Sequence, residues 1–330
     1  MKTLFPLFAV ITLIVLVVAG VQYANMQFLF GVIIPYLAVA TFVAGLIYRV
    51  MKWASSPVPF RIPTTCGQEL SLPWIKQDKL ESPSGTLGVI GRMALEVLLF
   101  RSLFRNIKLD MREGPRIAYG SDKWLWLSGL AFHWSFLIIL IRHFRLFAIQ
   151  LPYPIHVIES LDSFLQIGVP MLYITDVVIL AAVTYLFIRR ITNPLVRYIS
   201  LPADYFPLFL ILAVAGSGVL MRYFTKVDVV GVKQLTMGLI SFRPVVPQGI
   251  GIIFYIHLFL ISVLFAYFPF SKLVHMAGVF LSPTRNMANN NRMVRHVNPW
   301  DYPVHVHTYE EYENDFREKM KSVGIPVEKE

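Results

Sequence analysis

Two of the most apolar stretches of this chain each carry a pair of histidines. His133 and His143 lie ten residues apart in one stretch, and His257 and His275 lie eighteen apart in the other. An ionisable side chain in a membrane-spanning helix is costly, so it usually marks an ion, proton or cofactor site. Imidazole is a common axial ligand of haem iron, and bundle cofactors are held by side chains from facing helices. The four histidines therefore predict two b haems, each bound between two imidazoles.

The composition around these histidines is that of an integral membrane protein. The 330 residues are 56% hydrophobic and 15% charged, with a mean hydropathy of +0.59, which lies outside the range of soluble domains. A helical span needs about 20 apolar residues, and we expect an all-α bundle of about six transmembrane helices. The predicted spans are 4–23, 28–50, 124–147, 168–188, 205–223 and 250–268.

The first predicted span also has features of a secretory signal peptide, because Lys2 precedes its apolar stretch. The stretch is long for the apolar core of a signal peptide, so we expect it to be retained as a helix. The single cysteine, Cys66, excludes an internal disulfide, covalent haem attachment through CxxCH and a cysteine-ligated iron–sulfur cluster. Cluster chemistry must then belong to a partner protein.

The net charge of +10 does not indicate nucleic-acid binding, because the basic residues lie between the spans and at their ends. Basic loops stay in the cytoplasm, so we expect a multi-pass protein of the cytoplasmic membrane with both termini inside. One connection, residues 222–243, departs from this rule, since it must face outward and yet carries Lys226 and Lys233. The predicted regions are two N-terminal spans (1–50), a basic cytoplasmic segment with an interfacial or partner-docking helix at 87–104 (51–123), a four-helix di-haem region (124–281) and a cytoplasmic tail (282–330).

This topology predicts how the histidines pair. The two helices run antiparallel, so His143 should face His257 near the outer surface and His133 should face His275 near the cytoplasm. We name these the outward pair and the inward pair. The rise between the two histidines is about 15 Å on the first helix and about 27 Å on the second. Helix tilt, the width of the porphyrins, a kink at Pro269 or a position for His275 beyond the regular helix could each account for this difference.

Less specific interpretations remain open for several residues. Any single histidine could be an ordinary buried or interfacial side chain, and His143 and His275 are the most open to that interpretation. Arg142 and Arg145 could extend to the interface or neutralise haem propionates. Three small residues could admit a porphyrin or another helix, namely Gly129, Gly216 and Gly218. His305 and His307 in the tail are a weak metal-binding pattern, and they and His296 are expected to be surface residues.

The quinone site is predicted only by proximity to the outward pair. His156 and Glu159 lie in the following connection and could accept quinol protons, with Arg142 or Gln166 as a hydrogen-bonding group. Each of these could equally be a solvated loop residue. No catalytic residue is assigned.

The spacing of the four histidines resembles that of the gamma subunit family of respiratory nitrate reductases, over residues 28–278. The additional first span, the long basic segment and the motif RMVRHVNPWD look more like the DsrM membrane cytochromes within that family. The resemblance implies a di-haem cytochrome b that exchanges electrons with menaquinone. It also implies a cytoplasmic iron–sulfur partner of the DsrK, heterodisulfide-reductase-like type, further Dsr subunits and a role in dissimilatory sulfur metabolism.

The expected activity is therefore that of an electron-transfer subunit in a menaquinol-linked oxidoreductase complex. Menaquinol would be oxidised near the outward pair, and electrons would leave from the inward pair to the cytoplasmic partner; the reverse flow is equally compatible with the sequence. The alternatives are a gamma-type cytochrome b of another respiratory oxidoreductase, a transporter that uses the histidines as a proton relay, and a haem-free membrane anchor.

Overall fold

The computed structural model describes residues 2–56, 68–105, 108–114, 116–164, 170–293 and 305–329. Within them, five helical segments are long and apolar enough to cross a membrane, judged by length and composition. They are Leu4–Tyr23, Leu29–Ala54, Lys123–Leu146, Pro202–Tyr223 and Ile252–Phe270. These bounds agree closely with five of the six predicted spans, which confirms the expected helical membrane fold.

The secondary structure is almost entirely helical in the described part of the chain. The helices are α1 (Leu4–Val18), α2 (Ile34–Ala54), α3 (Thr86–Leu99), α4 (Arg101–Phe104), α5 (Lys123–His143), α6 (Tyr153–Asp162), α7 (Ile174–Thr192), α8 (Pro194–Ile199), α9 (Pro202–Tyr223), α10 (Val229–Ile240), α11 (Ile252–Tyr267), α12 (His275–Gly278), α13 (Pro283–Asn286) and α14 (Tyr309–Ser322). Single π turns, Ala19–Tyr23 and Leu29–Ile33, extend α1 and precede α2. An antiparallel hairpin of β1 (Lys108–Arg112) and β2 (Arg116–Gly120), which was not predicted, lies in the basic segment.

The fourth predicted span, 168–188, differs most from its expected bounds. The helix there is α7, which begins at Ile174 and has 19 residues, enough for about 28 Å of rise. It is more polar than the five spans because it carries Asp176, Arg189 and Arg190. It nevertheless packs between α5 and α9 as a member of the same bundle.

Helices α9 and α11 form the centre of the bundle, and α1, α2 and α7 pack around them. Leu210 of α9 and Leu260 of α11 are fully buried, and Val17 of α1 is buried against the same cluster. At the far end of α2, Gly45 allows close approach, since a Cβ there would lie 2.7 Å from the Pro269 ring.

Helix α10 occupies the connection that violated the charge rule. Its 12 residues give about 18 Å of rise, which is too short to cross a bilayer. Two hydrogen bonds hold it against neighbouring helix ends: Thr236 Oγ1 donates to the Leu146 carbonyl at 2.6 Å, and the Tyr36 hydroxyl donates to the Leu239 carbonyl at 2.9 Å. Lys233 thus lies on this packed helix, whereas Lys226 lies in the exposed connection that precedes it.

The amphipathic helix predicted at 87–104 is present as α3 and α4, interrupted at Phe100, whose φ of +50° is left-handed. Buried Arg92 anchors α3, because its guanidinium donates to the carbonyls of Glu81, Arg285 and Met287. Burial, and secondarily the neighbouring Arg285, lowers the pKa of Arg92. This residue ties the basic segment to the chain that follows α12.

Candidate cofactor site

The outward pair of histidines is formed by the ends of two long helices. His143 is the last residue of α5, and His257 lies in the first half of α11. Their ring centroids are 6.3 Å apart and the ring planes differ by 16°. The two imidazoles are therefore nearly parallel and face each other, as the sequence predicted.

The inward pair has a similar separation with a different ring orientation. His133 lies in the middle of α5, and His275 is the first residue of α12. Their ring centroids are 6.0 Å apart, and the interplanar angle is 81°. The predicted cross-pairing of the four residues is thus the arrangement in the structure.

All four rings use Nδ1 for a hydrogen bond. In three of them Nδ1–H donates to a backbone carbonyl: His133 to Gly129 at 2.7 Å, His143 to Ile139 at 2.7 Å, and His275 to Lys272 at 2.8 Å. A carbonyl can only accept, so each of these rings carries its proton on Nδ1 and presents an Nε2 lone pair.

The fourth ring, His257, reaches the same tautomer through Ser217. The serine hydroxyl donates to the Val214 carbonyl and lies 2.9 Å from His257 Nδ1, so it must accept the proton of that nitrogen. The Nε2 atom of His257 is buried and has no hydrogen-bond partner among the described residues. This arrangement is typical of a histidine that binds a metal ion. One ring nitrogen makes a hydrogen bond that fixes the tautomer and the ring orientation, and the other nitrogen is left for the metal.

The separation of the rings fits one iron between each pair. A metal–imidazole bond is about 2 Å long and the nitrogen lies about 1 Å from the ring centre, so two axial imidazoles have centroids about 6 Å apart. Both pairs match this value. The unpartnered Nε2 of His257 and the ring-centroid distances of both pairs therefore fit axial ligation of haem iron.

A break after α11 accounts for the difference in spacing between the two histidines of α5 and the two histidines of the α11–α12 segment. Regular helix α11 ends at Tyr267, a 3-10 turn includes Pro269, and Ser271 is extended with φ −116° and ψ 177°. His275 thus lies beyond the regular helix, at the level of His133. A position for His275 beyond the regular helix was one of the explanations that the sequence left open, and Pro269 lies in the turn that ends the helix.

The glycines named in the sequence have different roles. A Cβ on Gly218 would lie 3.4 Å from Cε1 of His257, so this glycine admits the ring. Gly129 supplies the carbonyl that orients His133, and a Cβ on Gly216 would meet no described atom within 4 Å.

An aromatic contact covers one ligand of the inward pair. The ring of Phe100 lies edge-on to His133, with centroids 4.9 Å apart and an angle of 88°. Two indoles of α5 hold the chain just before Phe100: Trp134 Nε1 donates to the Leu98 carbonyl at 3.0 Å, and Trp126 Nε1 donates to the Leu99 carbonyl at 2.7 Å. The end of α3 is thereby fixed against the inward pair.

Arg142 is buried, which corrects the expectation that it extends to the interface. Its Nη2 donates to Asp176 at 2.7 Å, its Nη1 lies 3.2 Å from Asp162, and its Cζ lies 3.6 Å from the centroid of the Tyr173 ring. The Tyr223 hydroxyl donates to the same Asp176 at 2.8 Å. A haem propionate would have to compete with two carboxylates for Arg142, so that assignment stays a prediction.

The residues predicted for the quinone site are only partly described. Arg145 Nη1 lies 3.3 Å from Glu159 Oε1, so these two candidates form an ion pair beside the outward pair. His156 is exposed on α6, and Gln166 lies outside the described residues. Their quinone role is an untested prediction.

Two cations near the inward pair were not singled out in the sequence. Arg190 and Lys272 line a cavity of about 190 Å³ together with Phe132, Asp204 and Leu273. Lys272 Nζ lies 2.6 Å from Asp204 Oδ1, and Arg190 Nη1 donates to the Ser200 hydroxyl at 2.8 Å. The position of Lys272 three residues before His275 was the only sequence signal for this cluster.

Comparison with known proteins identifies similar chains. The family model described as nitrate reductase gamma subunit matches residues 118–296, which include all four histidines. The Hdr-like menaquinol oxidoreductase cytochrome b-like subunit of Archaeoglobus fulgidus is 47% identical over 280 residues, which cover 83% of each chain. The subunit of the same description from Archaeoglobus profundus is 42% identical over 275 residues, which cover 81% of each chain.

Proposed function

Since the chain belongs to the nitrate reductase gamma subunit family, we propose that it is a menaquinol-linked di-haem cytochrome b. The observation that carries the proposal is the presence of two histidine pairs with ring centroids 6.3 and 6.0 Å apart. His143 and His257 would hold one haem b, and His133 and His275 the other. When bound, the two haems supply one-electron transfer between the two sides of the membrane.

The protein's own contribution is to fix the ligands and their surroundings. The Nδ1 hydrogen bonds keep every Nε2 free for iron and resist rotation of the rings. Arg190 and Lys272 are placed to neutralise carboxylates near the inward pair, and Arg145 is the corresponding candidate for the outward pair. These residues would lower the cost of placing negatively charged propionates near the bilayer.

Menaquinone is the inferred quinone, because both relatives are described as subunits of menaquinol oxidoreductases. We place its site near the outward pair, where the Arg145–Glu159 ion pair offers a carboxylate that can accept a proton once the arginine is displaced. His156 and Gln166 complete the candidate set.

The electron partner is inferred to be a cytoplasmic iron–sulfur subunit. The relatives are described as subunits of Hdr-like oxidoreductases, which supports a partner of that class. We further infer, from the resemblance alone, a heterodisulfide-reductase-like partner of DsrK type, further Dsr subunits and a role in dissimilatory sulfur metabolism. The docking surface would be the basic segment and the tail, which the positive-inside rule assigns to the cytoplasm together with both termini. The chain would then act as the electron-transfer subunit of the complex.

The decisive experiment is a haem count on the purified full-length protein. We expect two b haems per chain in the reduced spectrum. The variants His143→Ala and His257→Ala should lose one and the same haem, and His133→Ala and His275→Ala should lose the other. His156→Ala is the matched control and should keep both. A folded protein without haem, as expected for a histidine-relay transporter or a simple anchor, would refute the proposal.

A further inference from the structure

A second group of possible metal ligands lies in the C-terminal segment, far along the chain from the four haem-site histidines. His305 and His307 precede α14, and Glu311 is in its first turn. One ligand atom from each of the three residues lies within 4.8 Å of the other two. The sequence pattern alone offered only the two histidines, and the folded helix adds the carboxylate.

The backbone brings the two histidines to the same side. They are alternate residues of a non-helical segment, and alternate side chains of an extended chain point the same way. Their ring centroids are 4.7 Å apart. The two imidazoles can therefore approach one ion without a change in the backbone.

A capping box fixes the carboxylate beside them. Thr308 is the N-cap of α14, and its backbone N–H donates to Glu311 Oε2 at 2.9 Å, while its hydroxyl accepts from the Glu311 N–H at 3.3 Å. This leaves the other oxygen, Oε1, available to a ligand. Second-shell hydrogen bonds of this kind orient metal-binding carboxylates.

We propose that His305, His307 and Glu311 bind one divalent transition-metal ion, with Zn²⁺ as the best match. Two imidazoles and one carboxylate are a recurrent zinc donor set, completed by water. Bonds of about 2 Å require ligand atoms about 3.3 Å apart in a tetrahedral site, so side-chain rotations within the observed cluster suffice. All three residues are exposed, which gives an ion free access.

Asp315 provides a further carboxylate next to the cluster. Its Oδ2 lies 3.8 Å from His307 Nδ1. A carboxylate beside a ligating imidazole raises the basicity of the ring and restricts its rotation. With the metal bound, the segment before α14 would be cross-linked to the first turn of the helix.

The test is a Zn²⁺ titration of the chelator-treated, full-length haem protein by equilibrium dialysis. We expect wild type to bind one more tight Zn²⁺ per chain than His307→Ala. Glu311→Gln should weaken that site at least tenfold, although glutamine at this position can still form the capping box. His156→Ala, which removes another exposed histidine, should bind as wild type.

A second readout separates this site from ordinary surface binding. Co²⁺ should give the visible absorption of a low-symmetry site in wild type and in His156→Ala, and should lose it in Glu311→Gln. Equal Zn²⁺ stoichiometry and affinity in wild type, His307→Ala and Glu311→Gln would overturn the proposal. The haem count is independent of this outcome, because none of the three residues touches the haem-site histidines in the described structure.

Discussion

Ser217 and His257 form a buried hydrogen bond that sets the tautomer of one proposed haem ligand. The serine hydroxyl donates to the Val214 carbonyl and lies 2.9 Å from Nδ1 of the imidazole. The proton thereby stays on Nδ1, and the buried Nε2 of the ring has no hydrogen-bond partner among the described residues. In the other three histidines a backbone carbonyl has this function, so Ser217 is the anchor that a single substitution can remove.

The first prediction concerns this anchor. Ser217→Ala should leave Nδ1 of His257 without its present acceptor, and we expect about 10- to 100-fold weaker retention of the outward haem, as for other second-shell losses. The measurement is haem release from the purified protein, followed with the reduction potential of that haem. Ser262→Ala is the control, because Ser262 lies in α11, the helix of His257, and its hydroxyl donates to the Leu258 carbonyl. Equal effects of the two substitutions would contradict the role given to Ser217.

Phe100 provides the second prediction, because its ring contacts His133 while its backbone is left-handed. A left-handed conformation costs a bulky residue about 1 kcal/mol relative to glycine. Phe100→Gly should therefore be about 1 kcal/mol more stable than Phe100→Ala, since both lose the ring and only the alanine keeps the strain. Both variants should shift the low-spin EPR signal of the inward haem and leave that of the outward haem unchanged.

A matched control exists for Phe100. Phe242 also has a positive φ, of +56°, but its ring stacks on Tyr36 at 5.8 Å. Phe242→Gly should leave the inward EPR signal as in wild type. If it moved that signal as much as the Phe100 variants do, the contact between Phe100 and His133 would not be the cause.

The third prediction concerns the buried charge of Arg142. Arg142→Met leaves Asp162 and Asp176 without their cation, and breaking a buried pair in this way typically costs about 3–5 kcal/mol. Arg142→Lys should recover only part of this loss, because lysine lacks the planar guanidinium that stacks on the Tyr173 ring and bridges the two carboxylates. Thermal unfolding in detergent measures both effects. A stability of Arg142→Met within 1 kcal/mol of wild type would contradict the network.

Glu159 gives a prediction that separates function from stability. Its ion pair with Arg145 is partly exposed, and such pairs contribute at most about 1 kcal/mol. Glu159→Gln should therefore unfold at nearly the wild-type temperature, while menaquinol oxidation slows if this carboxylate accepts the proton. The measurement is haem reduction by a menaquinol analogue. Full activity would exclude Glu159 from the quinone site, and Ser160→Ala, on the same helix, should be fully active.

Much of the fold could be predicted because hydropathy and helix length are local properties of the sequence. The five long apolar helices lie within a few residues of their expected bounds, and the topology that follows from them predicts which histidines face each other. The start of α7 was harder to predict, because its first turn contains the polar Thr175 and Asp176, whose partners come from α5, α6 and α9.

The features that the sequence did not predict depend on contacts between distant segments. Arg142 is next to an apolar helix end, which favours an interfacial position, and only the folded chain supplies the two carboxylates that bury it. Likewise, no pattern around Phe100 indicates that it would contact His133, because two tryptophans of another helix fix that contact. The proposed metal site of the tail depends on the helix start at Tyr309, which brings Glu311 beside the two histidines.

The break after α11 has a consequence for biogenesis. The outward pair is complete once α5 and α11 have packed, whereas the inward pair also needs the short turns around Ser271 to place His275. Long helices form first and short connections order later, because a short turn gains little stability on its own. We therefore expect the two cofactor positions to mature in sequence, with the outward position ready to be filled while the inward one is still being built.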